Sequence, residues 1–380
     1  MKEEELKAKF PNHTLREKHP FYMGDAIYDI PGCLKACLEP DLLRSMQEAM
    51  KNRKPEQIFT VGCGTSYNAC QAVAYTLQTT LGIPATAYDA HDFYMDLPPL
   101  VNEKALVISI SQSGQTLIAS QAQEKARRAG AFTVGLSGSE TSRLATTADF
   151  AVTDPYKIEV PFGKTRSYLS SILQGMLVGI FTAPAAVQET FLAQANEMVE
   201  AITGAMPVFE KEAKALADRW GSLTVHYILT GFGVQKANAD EIGLKIIEVI
   251  GESATSYGLE EFTHGPNASF REDMGIFLFQ TDDRVLEKAA RISEGIEMGR
   301  APFVVITNRP DAAWSKASHV IGLPNTANMQ QFGVFPAAVV AQFLMYYLAI
   351  AKGMNPDING HDFRPYLGDV YEYFFPAGTH

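Results

Sequence analysis

The stretch Ala105-Leu106-Val107-Ile108-Ser109-Ile110-Ser111-Gln112-Ser113-Gly114-Gln115-Thr116 decides the fold. Its first half is a short strand suited to burial on both faces, as inside a parallel sheet. Its second half sets three hydroxyls and one glycine into six positions, and a helical run from Leu117 to Ala129 follows at once. A strand that turns straight into a helix is the repeating step of an α/β protein.

Such a turn presents unpaired amides, and the helix dipole adds potential favourable to an anion. The hydroxyls of Ser111, Ser113 and Thr116 can donate to phosphate oxygens, while Gly114 lets the backbone close in. No lysine follows, so this is not the G-x-x-x-x-G-K-[ST] nucleotide loop. An ordinary serine-rich N-cap uses the same residue types; the density of hydroxyls favours the anion reading. A second glycine turn, Gly62-Cys63-Gly64, invites comparison with dinucleotide sites, but Tyr67 stands where their third glycine belongs. Gly64, Thr65 and Ser66 read instead as a second wall of the same phosphate site.

Outward from this stretch the alternation continues. Strands are expected at Gln57–Val61, Ala85–Tyr88, Phe132–Leu136 and Phe150–Val152, with a helix from Asn68 to Thr80. A long helical stretch over 165–220 follows, and then the pattern restarts at Tyr227–Thr230, Gly231-Phe232-Gly233 and a helix through Ile250. Gly275–Phe279, Pro302–Thr307 and His319–Leu323 are further strands, and 334–352 is a closing helix. The two strand-G-x-G-helix units look like an internal duplication. The expected division is a helical segment at 1–55, a first lobe at 56–200, a second lobe at 201–355, and a tail at 356–380. Each lobe is a parallel sheet between layers of helices.

Composition is that of a globular protein, 46% hydrophobic and 20% charged. The net charge of −11 argues against a broad nucleic-acid surface, and no Lys/Arg run suggests a local one. Met1-Lys2-Glu3-Glu4-Glu5 leads into no signal-peptide core. The apolar stretches 169–187 and 334–351 carry glutamine and proline and read as core helices rather than spans. A cytoplasmic protein is expected. Cys33, Cys37, Cys63 and Cys70 do not make a disulfide framework, and Cys33 and Cys37, four apart, read as buried small residues rather than metal ligands. No metal or organic cofactor is called for.

Glu241, Lys245 and Glu248 are spaced i, i+4, i+7 and project from one helix face. Apolar neighbours Ile242, Leu244, Ile246 and Ile247 speak against a surface salt-bridge stripe, and spacing alone leaves both readings open. Soon after, Phe262-Thr263-His264-Gly265-Pro266 holds a histidine in a Gly-Pro turn. A carboxylate, an amine and an imidazole within one stretch suit proton transfer between adjacent sugar carbons.

At these residues the chain resembles the sugar-isomerase (SIS) domain family over essentially its whole length, and in particular the isomerase module of the glucosamine-6-phosphate synthases. The similarity is carried by Tyr22-Met23, Ile27-Tyr28-Asp29-Ile30-Pro31, the GCGTS turn, the SQSGQT turn, and Glu241, Lys245, Glu248 and His264. The resemblance implies two SIS lobes of flavodoxin-like three-layer architecture. It implies phosphate contacts from Ser66, Ser111, Gln112, Ser113 and Thr116, a homodimer or higher homo-oligomer with the site at the interface, and His264 acting in the neighbouring chain's site.

The departures shape the expected activity. The resemblance extends to the isomerase module alone, so glutamine-dependent synthesis is not expected. The synthases' tail supplies a lysine for ring opening; here the tail around Arg364-Pro365-Tyr366 has none and is more similar to that of the fructosamine-6-phosphate deglycases. Lys164, in Glu159–Tyr168, replaces a serine of the sugar-binding turn, and Lys164 and Arg364 are both counted among the sugar- or phosphate-binding residues. The expected function is a deglycase or deaminase-isomerase on a 6-phosphorylated ketosamine or hexosamine. The alternatives are an aldose–ketose phosphate isomerase without C–N cleavage and a non-catalytic sugar-phosphate sensor.

Overall fold

A computed structural model describes residues 7, 10–11, 13–221, 225–358 and 366–375. The chain forms two compact units. The first is built on residues 29–159 and 166–199; the second takes residues from 200 onward through 358, the described residues up to Tyr28, and the short segment Val160–Thr165. The division is therefore not linear along the chain, as the expected boundaries had it. Tyr22–Tyr28 and Val160–Thr165 pack with the second lobe despite their place in sequence.

In the first unit, β1 (Gln57–Gly62), β2 (Ala85–Asp89), β3 (Ala105–Ile110), β4 (Phe132–Ser137) and β5 (Phe150–Thr153) form a sheet of order β2-β1-β3-β4-β5. Every pairing is parallel. β1 and β3 are buried at every position, as expected of central strands covered on both faces. On one face Phe59, Val61, Val107, Ala119 and Ala122 make a continuous core.

In the second unit, β6 (His226–Gly231), β7 (Ser253–Gly258), β8 (Met274–Gln280), β9 (Phe303–Thr307) and β10 (His319–Gly322) take the order β10-β9-β8-β6-β7, again all parallel. Read from each unit's first strand, both sheets have order 2-1-3-4-5. The duplication extends to backbone detail. Gly64 (φ 55, ψ −128) and Gly233 (φ 62, ψ −126) cap the helices Thr65–Leu81 and Val234–Lys245 in the same conformation. Helix Val334–Ala351 lies within this unit, and 89% of the most apolar window of Met329–Ala351 is buried.

Three local differences from the sequence reading have clear causes. The helical stretch 165–220 is two helices, Arg166–Ile180 and Ala185–Trp220, with Pro184 immediately before the second. β7 was not expected; Ser-Ala-Thr-Ser-Tyr-Gly is a polar edge strand that shows no apolar alternation. The helix expected through Ile250 is α-helical to Lys245 and then widens into a π-turn, Ile246–Ile250. Cys33 and Cys37 are buried on one short helix, where the Cys33 thiol lies 3.7 Å from Asp154.

Candidate functional site

The turn after β3 is braced by its neighbours. The amide of Ser111 donates to Leu136 (3.0 Å), that of Gly138 to the Gln112 carbonyl (2.8 Å) and that of Leu144 to the Gly114 carbonyl (3.0 Å). Within the turn, Ser111 Oγ and Thr116 Oγ1 are 3.1 Å apart, the Gly114 amide donates to Ser111 Oγ (3.2 Å), and the Gln115 amide to Ser113 Oγ (3.2 Å). Gly114 has φ +65, and a Cβ there would sit 2.2 Å from Ser142 Oγ. Only glycine permits this path.

No side chain of Thr116 caps the helix Leu117–Arg128, and its first turn contains no acidic residue. Gly64 likewise leaves the helix Thr65–Leu81 without a side-chain cap from its own position. β1 and β3 are adjacent, with Val61 opposite Ser109. β2 lies on the other side of β1, so the strand order reverses between β1 and β3. The carboxyl-edge crevice at such a switch point is where open α/β sheets hold ligands. The fold thus sets Gly64, Thr65 and Ser66 beside Ser111, Gln112, Ser113 and Thr116.

The corresponding crevice of the second unit is built differently. Thr230 pairs with Leu278 as Val61 pairs with Ser109, so Ser111–Gly114 correspond to Gln280–Asp283. There Gln235 Nε2 donates to Thr281 Oγ1 (2.8 Å), and Asp282 accepts from Arg284 Nε (3.0 Å) and Nη2 (2.6 Å). Asp283 pairs with Arg309 (2.7 Å). Carboxylates, each paired with an arginine, stand where the first unit has serine and glycine.

The three charged residues of the helix face do meet. Glu241 and Lys245 are fully buried, 3.5 Å apart, and the Lys245 ammonium also contacts Glu248, whose side chain is 23% exposed. A salt-bridged surface stripe is excluded by that burial. Desolvation acts to lower the Lys245 pKa, but Glu241 and Glu248 outweigh it and hold the amine above its ordinary range. The π-turn begins at the next residue, and Gly251 closes it by donating to Ile246 (3.1 Å). Such bulges recur at functional sites.

Segment Val160–Thr165 lies against this helix within the same unit. At Gly163 a Cβ would fall 2.7 Å from Val249 Cγ2 and 3.7 Å from Lys245 Cδ. Lys164 folds back to donate to the Pro161 carbonyl (2.7 Å). His264 sits between two short 3₁₀ turns, 67% exposed, with Nε2 3.1 Å from Glu260. The hydrogen bond it makes is therefore directed to Glu260 and not to the helix set. Arg364 lies outside the described residues.

One residue escaped the sequence reading. Asp357 is 1% exposed and accepts from the amides of Tyr22 (2.9 Å) and Met23 (2.8 Å), while its carbonyl accepts from Phe162 (3.0 Å). It ties the helix Tyr22–Tyr28 to the segment that covers Lys245. Burial pushes its carboxyl up to about 6, against the pull of those two amides. The motif Asn355-Pro356-Asp357 just after an apolar helix was the available signal.

The two similar parallel sheets find counterparts among known proteins. The SIS domain family model matches residues 52–183 and 225–352. The chain belongs to the SIS domain family. Its two SIS lobes coincide with the two sheets. The chain is 26% identical over 364 residues to a glutamine–fructose-6-phosphate aminotransferase [isomerizing] of Corynebacterium diphtheriae, covering 89% of this chain and 57% of that protein. It thus spans little more than half the length of that relative. In fold it is similar to the C-terminal domain of the glucosamine-fructose-6-phosphate aminotransferase of Francisella tularensis, with TM-score 0.80 and 20% identity, covering 91% of this chain and all of that domain. It is also similar to a glucosamine-6-phosphate deaminase from Thermotoga maritima, with TM-score 0.72 and 21% identity, covering 90% and 98%.

Proposed function

We propose that this SIS protein is a phosphosugar enzyme acting on the C–N bond region of a 6-phosphorylated ketosamine or hexosamine. The observation that carries the reading is the Glu241–Lys245–Glu248 set. Two members are sealed inside the protein, and Glu248 alone of the three keeps partial access to solvent. A buried ammonium pinned between two carboxylates orients Glu248 as a general base. The phosphate is anchored by Ser66, Ser111, Gln112, Ser113 and Thr116, so that its binding energy fixes the reacting carbons.

In the ring-opened ketosamine the nitrogen is on C1 and the carbonyl at C2. Glu248 removes a proton from C1, giving an enaminol, and returns a proton at C2. The C2 carbonyl becomes a hydroxyl and C1 becomes an imine. Water then adds to the imine and the amine leaves, so that ketosamine plus water give an aldose 6-phosphate and free amine. His264 serves as the group that moves the hydroxyl proton. Being exposed and bonded to Glu260, it is assigned to the site of a second copy in a homodimer. Support for C–N chemistry comes from the relatives, whose names are those of an aminotransferase and a deaminase.

The test is a panel of fructosamine 6-phosphates, glucosamine 6-phosphate and fructose 6-phosphate, followed by released amine and by hexose 6-phosphate formed. Release of amine from a phosphorylated amino sugar, abolished by Glu248→Gln, is expected. Conversion of fructose 6-phosphate alone would establish a plain aldose–ketose isomerase instead. A Glu248→Gln protein with full biological function would identify a sensor.

A further inference from the structure

The first unit has a cleft of about 400 Å³ at the opposite end of its sheet from the serine turn. Lys51, Arg53 and Lys54 lie just before β1, whereas Gly62–Ser66 follow it. A six-residue strand separates the two ends by roughly 20 Å. Arg53 stacks its guanidinium 3.6 Å over Phe132, the first residue of β4, which fixes the cleft at the amino edge of the sheet.

Four cations, Arg44, Lys51, Arg53 and Lys54, line this cleft, against one carboxylate, Glu48. Arg44 pairs with Asp41 at 3.2 Å, an exposed pair of little strength. Among the described residues, no carboxylate pairs with Lys51, Arg53 or Lys54. The ordinary explanation would be that they answer the negative ends of two helices, Pro40–Met50 and Arg166–Ile180, which both finish here. Two such ends amount to about one negative charge in total. The carbonyls after the second helix are already served, since Gln188 Nε2 donates to Ala183 (2.8 Å) and Phe181 (3.4 Å). A surplus of positive charge remains on a protein whose net charge is −11. The sequence reading saw no basic run because Lys51-Asn52-Arg53-Lys54 is short and Arg44 joins it only in the fold.

We infer that this cleft binds a small polyanion of the di- or triphosphate class, at a site separate from the phosphosugar turns. Its size suits a phosphorylated metabolite, and Arg53, held by its aromatic partner, presents a preset donor fork to phosphate oxygens. The position, on the first SIS lobe and away from the switch-point crevice, is that of an effector site.

The probe is inorganic pyrophosphate, titrated calorimetrically at low salt into the full chain and into its Ser113→Ala variant. Saturable binding is expected in both, weakening as salt is raised. Adding Arg53→Ala and Lys54→Ala to the Ser113→Ala chain is expected to weaken it by about tenfold or more. These are exposed side chains, and an unchanged thermal melt shows that the fold is kept. Absence of saturable binding, its loss in Ser113→Ala alone, or its survival in the triple variant would each overturn the inference.

Discussion

Lys245 carries its ammonium 3.5 Å from Glu241 with neither side chain reaching solvent, and the same nitrogen extends to Glu248 in the π-turn. Structure and proposed chemistry thus divide between the two glutamates. Lys245→Met leaves Glu241 buried without its cation and is expected to cost about 3–5 kcal/mol, read as a fall in the urea midpoint. Because its folded pKa is raised, charged Lys245 stabilises the fold below the ordinary lysine range, and that contribution is lost only as pH climbs through the higher folded value. Glu248→Gln leaves Lys245 with Glu241 as its remaining carboxylate, and is expected to lower kcat by about 10²–10⁴ while costing less stability than Lys245→Met. Equal losses of stability in both variants would contradict this division.

Gly114→Ala meets two obstacles: a positive φ and a contact of 2.2 Å with Ser142 Oγ. The variant is expected to raise KM for the phosphosugar by at least about tenfold and to lower stability by roughly 1–3 kcal/mol. Ser142→Gly in the same chain relieves the contact but not the backbone strain, so recovery is partial. Full recovery of KM would show that the φ requirement is unimportant.

Asp357 gives the fold a pH signature. Its carboxyl, pushed by burial to about 6, is protonated more readily in the folded chain than in the unfolded one. Folded protein therefore binds more protons between about 4 and 6, and stability falls as pH rises across that window. The contribution is on the order of 3 kcal/mol. Asp357→Asn keeps one acceptor oxygen for the two amides of Tyr22 and Met23, at a pH-independent cost, and removes the titration. Melting curves from pH 4 to 8 are expected to show a shallower decline in the variant; parallel curves would count against the assignment.

If His264 completes the site of a second copy, two inactive variants rescue each other. Glu248→Gln and His264→Ala chains, mixed and reassembled, are expected to recover about a quarter of wild-type sites, since half the dimers are mixed and each has one intact pair. No recovery from mixtures shown to exchange subunits would place the histidine's work within its own chain.

The strands that carry the site were legible because their burial on both faces is written directly in residue type: Ala105–Ile110 is bounded as the sequence suggested. β7 was not, because an edge strand owes its place to backbone pairing with β6 rather than to apolar side chains. Spacing placed Glu241, Lys245 and Glu248 on one face, and they do meet. It could not show that the helix widens after Lys245, since a π-turn is fixed by packing around it. Asp357 went unread for a related reason. A carboxylate's importance here comes from amides more than three hundred residues away in the chain, and the local Asn355-Pro356-Asp357 motif marks a turn without naming those partners.

The matched glycine turns at Gly64 and Gly233 carry a consequence for stoichiometry. The doubled frame is filled differently in its two copies: Asp282 and Asp283, each paired with an arginine, stand in the second lobe where Ser113 and Gly114 stand in the first. On the proposed function this is a division of labour: the anchor is assigned to the first copy and the helix bearing Glu241, Lys245 and Glu248 to the second. If the anchor belongs to the first lobe alone, as the proposed function has it, calorimetric titration with a phosphosugar is expected to read one site per chain.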